Sequence, residues 1–243
     1  MKSIFTIAVA TASFFATSLA ANAASFSKVA DDNLFNALNP DLAFVAEGRM
    51  GNNAMNGTHE LNFHGANPLN ESQTQDETNF VWSNGETYDF ELRYTASSGL
   101  TKFFINEVEQ LSYNFSGPFS DIFIRTRATK DGSSINVNNI FLNGEFLDGA
   151  SSTVAEGGGA WADSMDYLRI TGLSADEDFT LTGQSTMSWG DTVPKNSHLA
   201  FQIKVADVES ASTPEPTVIF GLGLVSASMT LLRRRQKGKM VSN

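Results

Sequence analysis

The sequence has no cysteine and only three histidines, and these absences restrict its chemistry. Without cysteine, the 243-residue chain cannot form disulfides, thiolate nucleophiles, zinc fingers or iron–sulfur clusters. His59 and His64 are five residues apart and would face opposite sides of a strand, which is poor geometry for a shared metal ion. The sequence also lacks H-E-x-x-H, G-x-S-x-G, S-x-x-K and P-loop motifs. It therefore predicts a protein that is not an enzyme.

Basic residues are scarce. The chain has 16 lysines and arginines against 27 aspartates and glutamates, a net charge of −11. Such a balance excludes nucleic acid as an expected partner, because a nucleic-acid surface must neutralise phosphates. Hydrophobic residues make up 41% of the chain, too many for wholesale disorder, and the length suits one medium domain.

The N-terminus has the features of a secretory signal peptide. Lys2 supplies the positive charge, residues 4–16 form a short apolar segment, and Ala21 and Ala23 form an A-x-A cleavage site. The segment is too short to span a bilayer comfortably. We therefore expect residues 1–23 to be removed by signal peptidase, so that the exported chain begins at Ala24.

The C-terminal residues 213–238 have three parts in a fixed order. Pro214, Glu215 and Pro216 come first and favour an extended, accessible backbone. The uncharged residues 217–232 follow, and as a helix they would be about 24 Å long, close to the thickness of the hydrocarbon core. The third part is a basic cluster at 233–239, which contains Arg233, Arg234 and Arg235. It would remain on the cytoplasmic side of the membrane.

This order resembles the PEP-CTERM sorting signal of Gram-negative bacteria. In that family, exosortase, a membrane-embedded transpeptidase-like enzyme, recognises and processes the tail. The resemblance implies such an enzyme as a partner, a transient anchor in the inner membrane, and a bacterium that makes exopolysaccharide or biofilm. The seven residues after Gln236 are a departure, because tails of this family usually end sooner after the arginines. A plain single-span membrane anchor is the alternative.

Residues 24–212 remain as the exported domain, with 10 basic and 26 acidic residues and a net charge of −16. Apolar and polar residues alternate with period two in four segments, which predicts strands with one buried face. The segments are 88–95, 111–116, 179–189 and 199–206. In 135–142 the apolar parity changes at Asn138–Asn139, which predicts a bulge.

Turn signals separate these segments. Asn84–Gly85, Asp131–Gly132, Asn143–Gly144 and Asp148–Gly149 are dipeptides typical of tight turns. Many short strands with such turns predict an all-β domain, an antiparallel β-sandwich of jelly-roll type. Only residues 29–38 favour a helix, with Asp31 or Asp32 as N-cap. Residues 151–163 contain three consecutive glycines and are predicted to be a mobile loop.

The domain also resembles the "choice-of-anchor" extracellular modules, β-rich domains attached to alternative anchoring tails, with the W type as the nearest. The similar segments are 80–85, 121–127 and 187–204. These modules have no common biochemical activity, so the resemblance implies a fold and a location at the cell surface.

Two small features could bind a ligand. Asp176, Glu177 and Asp178 form the densest acidic cluster, and their oxygens suit Ca²⁺, although the spacing does not match an EF-hand. A solvated turn is the simpler interpretation, and we expect no other cofactor. Trp161 follows the glycines in a polar loop and could stack on a sugar ring, whereas Trp82 and Trp189 lie in apolar patterns that predict core positions.

Three functions follow from these features. The first is a non-enzymatic adhesive or structural protein of the cell surface or extracellular matrix, in an exopolysaccharide-rich envelope. The second is a carbohydrate-binding, lectin-like module, which binds its glycan either with or without the help of Ca²⁺. The third is a secreted glycan hydrolase or lyase that uses Glu107 or Glu109, but the neighbouring Asn106 and Gln110 favour a turn there.

Overall fold

A computed structural model describes residues 24–51, 59–65, 73–159 and 161–208. Within these ranges the protein is all-β, with one six-residue helix, α1 (Asp32–Ala37), and one 3-10 helix (Trp161–Ser164). The strands in chain order are β1 (Ser25–Val29), β2 (Asp41–Met50), β3 (His59–Gly65), β4 (Thr74–Asn79), β5 (Thr87–Thr95), β6 (Leu100–Ile105), β7 (Val108–Asn114), β8 (Asp121–Ala128), β9 (Ser134–Leu142), β10 (Glu145–Phe146), β11 (Ser152–Val154), β12 (Met165–Thr171), β13 (Phe179–Ser188) and β14 (Leu199–Asp207).

The strands form two antiparallel sheets. Sheet A has the order β1-β12-β8-β14-β2-β3-β4, and sheet B has the order β10-β9-β13-β5-β6-β7, with β11 also paired to β9. The predicted alternation is confirmed in β13, where every second residue from Phe179 to Met187 is buried. In the segment 111–116 it fails at Tyr113, which is 38% exposed. Two antiparallel sheets are compatible with the predicted sandwich.

The core lies between the two sheets and is rich in aromatic rings. Phe201 of sheet A is fully buried and lies 5.7 Å from Phe90 and 6.5 Å from Phe103 of sheet B, between ring centroids. Trp82 is 2% exposed and lies 6.1 Å from the same ring, so its predicted core position is confirmed. Trp189 is only partly buried against this core. The interlocking rings fix how the two sheets face each other.

The predicted bulge in β9 is confirmed. Thr182 pairs with Phe141 and Gln184 pairs with Asn138, so two residues of β9, Asn139 and Ile140, stand opposite one residue of β13. Asn139 has the left-handed backbone conformation with φ of 50°. The extra residue moves Ile140 into the core and turns Phe141 to the outer face of sheet B.

The predicted helix at 29–38 is shorter than expected. Its N-cap is Asp31, whose Oδ1 accepts hydrogen bonds from the backbone N–H groups of Asn33 and Leu34, both at 2.9 Å. Val29 belongs instead to β1 and pairs with Tyr167. The helical expectation was wrong there because pairing with β12 outweighs the local pattern.

The predicted mobile loop at 151–163 contains ordered elements. Ser152 to Val154 form β11, and the 3-10 helix begins at Trp161. Ser152 is fully buried, and its Oγ donates a hydrogen bond to the backbone oxygen of Asp166 at 2.9 Å. Asp166 Oδ2 accepts a hydrogen bond from the backbone N–H of Thr153 at 2.8 Å. These contacts are long-range, so the glycines alone did not predict them.

Candidate functional site

An open groove of about 470 Å³ lies on the outer face of sheet B, across β9, β13 and β5. Its lining contains three phenylalanines, of which Phe90 is buried, together with three acidic residues, two amide side chains, Thr182 and Gly183. Ligand sites in proteins typically combine an apolar surface with a few convergent polar groups. This groove is therefore the best candidate for a functional site among the described residues.

Two exposed phenylalanines form the apolar end of the groove. Phe141 and Phe146 are directly opposite each other on β9 and β10, with 36% and 47% of their surfaces exposed. Their ring centroids are 5.0 Å apart. The two-residue turn Asn143–Gly144 joins the strands, and both of its residues have positive φ, as in the predicted tight turn. The bulge and this turn together place both rings in solvent.

A chain of polar side chains runs beside the aromatic pair. The amide of Asn139 donates a hydrogen bond to Gln184 Oε1 at 2.6 Å, and Gln184 Nε2 donates to Asp89 Oδ1 at 2.9 Å. The backbone N–H of Asp89 donates to Asn106 Oδ1 at 3.0 Å. These bonds fix the carboxylate of Asp89 in one orientation, while its second oxygen can still accept a hydrogen bond.

The groove ends at an acidic wall on β5 and the β6–β7 turn. Glu91 forms an ion pair with Arg93, whose guanidinium lies 5.0 Å from the centroid of Phe104. Glu107 is exposed and is the second residue of a two-residue turn. From Phe146 to Glu91 the groove crosses three strand spacings, about 14 Å. It is long enough for an extended ligand.

Glu107 and Glu109, the residues named for a glycan hydrolase or lyase, lie in different surroundings. Glu107 lies in the turn that the sequence favoured, whereas Glu109 lies on β7 and binds Lys102 with an N–O distance of 2.7 Å. Only Glu107 lines the groove. The two side chains therefore have different partners and different surroundings.

The acidic cluster at 176–178 lies in the exposed connection between β12 and β13. Asp178 Oδ1 accepts a hydrogen bond from the backbone N–H of Ala96 at 2.8 Å, so it fastens this connection to the end of β5. Burial, together with the charges of Asp176 and Asp178, raises the pKa of Tyr94. Within the described residues, no group of three or more possible metal ligands is found.

Several predicted sites lie outside the residues that the structure describes. The backbone of Trp161 is described but its side chain is not, so its proposed stacking on sugar stays a prediction. The cleavage residues Ala21 and Ala23 and all of the tail from 213 lie outside the described residues. In the part of the chain that is described, no helix has the length and apolar character needed to cross a membrane.

A second cleft, of about 600 Å³, lies between the segments 129–131 and 190–198. Thr129 Oγ1 and His198 Nδ1 are 2.6 Å apart there. Burial, and then the charges of Lys130 and Arg127, lower the pKa of His198. The described lining of the cleft has no phenylalanine, tyrosine or tryptophan, and its charges are mixed, so it offers less for recognition than the groove.

Sheet A carries a buried charged network on its outer face. Glu47 is 4% exposed and accepts hydrogen bonds from Gln202 Nε2 at 2.9 Å and Asn62 Nδ2 at 3.3 Å. Arg49 bridges Glu47 and Glu60. Because Glu47 is held by Arg49 and by two side-chain amides within the sheet, we interpret the network as structural.

Sequence reasoning missed Phe141 and Phe146, although it located the bulge. After the parity change, Phe141 lies on the same polar side of β9 as Asn138. A large aromatic residue on a polar side of a strand is a signal of a binding surface, and it could have identified Phe141. Phe146 follows the tight turn and lies opposite Phe141.

No protein-family model matches the chain, and no curated protein matches its sequence.

Proposed function

We propose that this chain is an exported envelope protein that attaches to polysaccharide through the groove on sheet B. The observation that carries the proposal is the exposed pair Phe141–Phe146 beside the hydrogen-bonded row Asn139–Gln184–Asp89. A sugar ring has an apolar C–H face that packs on an aromatic ring, and hydroxyl groups at its edge that donate to amide and carboxylate oxygens. The groove offers both kinds of partner side by side.

An oligosaccharide suits this groove better than a peptide does. Peptides commonly bind sheets by adding a strand to an open edge. The three strands under the groove, β9, β13 and β5, are each hydrogen-bonded to neighbours on both sides. Recognition here must therefore use side chains on an outer sheet face, which is an arrangement that an extended glycan can follow for about 14 Å.

The location of the protein is proposed from its two ends. The signal-peptide pattern of 1–23 and the PEP-CTERM-like order of 213–238 support export, processing by an exosortase-like enzyme and release to the outer surface or matrix. The finer fold, a jelly-roll β-sandwich of the choice-of-anchor kind, is part of the same proposal. Attachment needs no catalytic group, so the protein acts as an adhesive component and not as an enzyme.

Removing the aromatic pair is expected to abolish most glycan binding. The Phe141→Ala/Phe146→Ala double variant of the full chain, in mild detergent, should bind about 30-fold more weakly than the wild type, because the loss of an aromatic anchor typically costs 2 kcal/mol or more. Affinity electrophoresis on exopolysaccharide of the source bacterium, and titration with cellohexaose and the N-acetylglucosamine hexamer, would measure this.

Phe26→Ala is the matched control, since Phe26 is 40% exposed but lies on β1 of the other sheet. It should bind like the wild type. Equal affinity of the double variant and the wild type, or no retention of the wild type on any of these glycans, would overturn the proposal. Parallel runs with Ca²⁺ and with EDTA test whether the metal contributes.

The arginine cluster is expected to be required for tail processing. In the source bacterium, wild-type protein should yield C-terminal peptides that end before Arg233, whereas an Arg233→Gln/Arg234→Gln/Arg235→Gln variant should keep its intact terminus in the membrane fraction. Lys239→Gln is the control and should be processed normally. Recovery of only intact, Arg233-containing termini from the wild type would contradict the sorting role.

A further inference from the structure

We infer that the groove selects glycans with free amino groups, such as a glucosamine polymer, over neutral and uronate-containing glycans. This rests on the proposed glycan-binding function and adds the charge of the sugar. The aromatic pair Phe141–Phe146 supplies a surface for a sugar ring of any charge. The selectivity comes from the opposite end of the groove, on β5 and the β6–β7 turn.

Three carboxylates line the groove, and they differ in their partners. The charge of Glu91 is balanced by Arg93. Asp89 and Glu107 have no ion-pair partner among the described residues. Outside the groove on the same face, Glu109 is paired with Lys102. The negative charge is thus left unbalanced inside the groove, where a cationic group of a ligand would balance it.

Two hydrogen bonds fasten the turn that carries Glu107 to the strand that carries Asp89. The N–H of Asn106 donates a hydrogen bond to the backbone oxygen of Asp89 at 2.8 Å, and Asn106 Oδ1 accepts from the N–H of Asp89 at 3.0 Å. The β6–β7 turn, which carries Glu107, is therefore fastened to β5 at Asp89. An ammonium group has three donors and no acceptor, which matches a pair of carboxylates. A uronate would be repelled by the same charges.

The backbone conformation of Glu107 is one that glycine adopts readily. Its φ of 65° places it at the second position of a two-residue turn with two left-handed residues, where glycine is the favoured residue. The other such turn of this face, Asn143–Gly144, has glycine there. Glycine can therefore replace Glu107 without disturbing the turn, so Glu107→Gly removes the carboxylate alone.

The test compares two hexamers that differ only at the nitrogen. The full-length protein in mild detergent should bind the β-1,4-glucosamine hexamer about tenfold more tightly than its N-acetylated form at low salt, and the difference should shrink at high salt. Glu107→Gly should reduce this preference about threefold, while binding of the N-acetylated hexamer stays unchanged. Asp89→Asn changes the hydrogen-bonded row as well, so it should weaken binding of both hexamers, and binding of the glucosamine hexamer about threefold more. Glu107→Gly should not lower the unfolding midpoint, because glycine suits the turn. Glu109→Gln is the control and should keep the full preference.

The outcomes separate the two proposals. Equal binding of the two hexamers, with loss of both in the Phe141→Ala/Phe146→Ala variant, would overturn the amine selectivity and leave glycan binding intact. Tighter binding of an oligogalacturonate than of the glucosamine hexamer would also overturn it. Absence of binding to any of these oligosaccharides would overturn the glycan-binding proposal itself.

Discussion

Phe201→Ala is expected to lower the free energy of unfolding by about 3–5 kcal/mol, the range for truncating a fully buried aromatic side chain. Phe201 lies where rings of both sheets meet, near Trp82, Phe90 and Phe103. Its removal leaves a cavity that β-strands paired on both sides cannot easily close. Denaturation by urea, followed by tryptophan fluorescence, would measure the loss, and Phe141→Ala on the solvent face should cost under about 1 kcal/mol.

A neighbouring glycine makes this prediction sharper. A Cβ atom on Gly48 would lie 2.5 Å from Cε1 of Phe201, so Gly48→Ala should destabilise the wild type by about 1–3 kcal/mol. In the Phe201→Ala background the overlap with Phe201 is gone and only the approach to Cζ2 of Trp82 at 3.0 Å remains, so most of the cost should disappear. Additive effects of the two substitutions in this cycle would contradict the packing described here.

Much of the fold is predictable because its signals are local. The alternation of β5 and β13, the bulge at Asn138–Asn139 and the N-cap Asp31 each depend on residues within a few positions of one another. Each reports which side of a strand is buried or where a helix starts. None of them reports which strands become neighbours.

The groove depends on which strands become neighbours in the sheet. Gln184 and Asp89 are 95 positions apart in the sequence, and their hydrogen bond exists only because β13 pairs with β5. The same pairing brings Thr182 and Glu91 together beside Phe141. The error at Val29 has the same origin, since its strand conformation comes from the pairing with Tyr167. Sequence reasoning therefore placed Phe141 on a strand but could not assemble the site around it.

The second large effect is expected from Glu47, in the network on sheet A. Glu47→Gln should lower the free energy of unfolding by about 2–4 kcal/mol at pH 7, since it removes a charge that Arg49 pairs with and one of the two carboxylate oxygens that accept buried hydrogen bonds. The variant keeps the shape of the side chain but places an amide donor against Arg49 and two other donors, Gln202 and Asn62. Glu77→Gln is the control, because Glu77 is exposed on β4 in the same row as Asn62; it should cost under about 0.5 kcal/mol.

The pH dependence of this effect distinguishes a charge from a shape effect. Burial is the largest single influence on Glu47, and it raises the pKa of the carboxyl. The opposing influences are the hydrogen bond from His64, the charges of Arg49 and His64, and the hydrogen bond from Gln202. Together they outweigh burial and hold the pKa of Glu47 below its ordinary value of 4.5. A carboxyl whose pKa is lower in the folded state stabilises the protein above its unfolded pKa, and this contribution is lost as the pH falls through the folded value. The difference in unfolding free energy between wild type and Glu47→Gln should therefore be present at pH 7 and shrink as the pH falls below about 4.5. A difference that stays the same down to pH 3 would mean that the glutamine disturbs packing only, and that the ionised carboxylate of Glu47 does not stabilise sheet A.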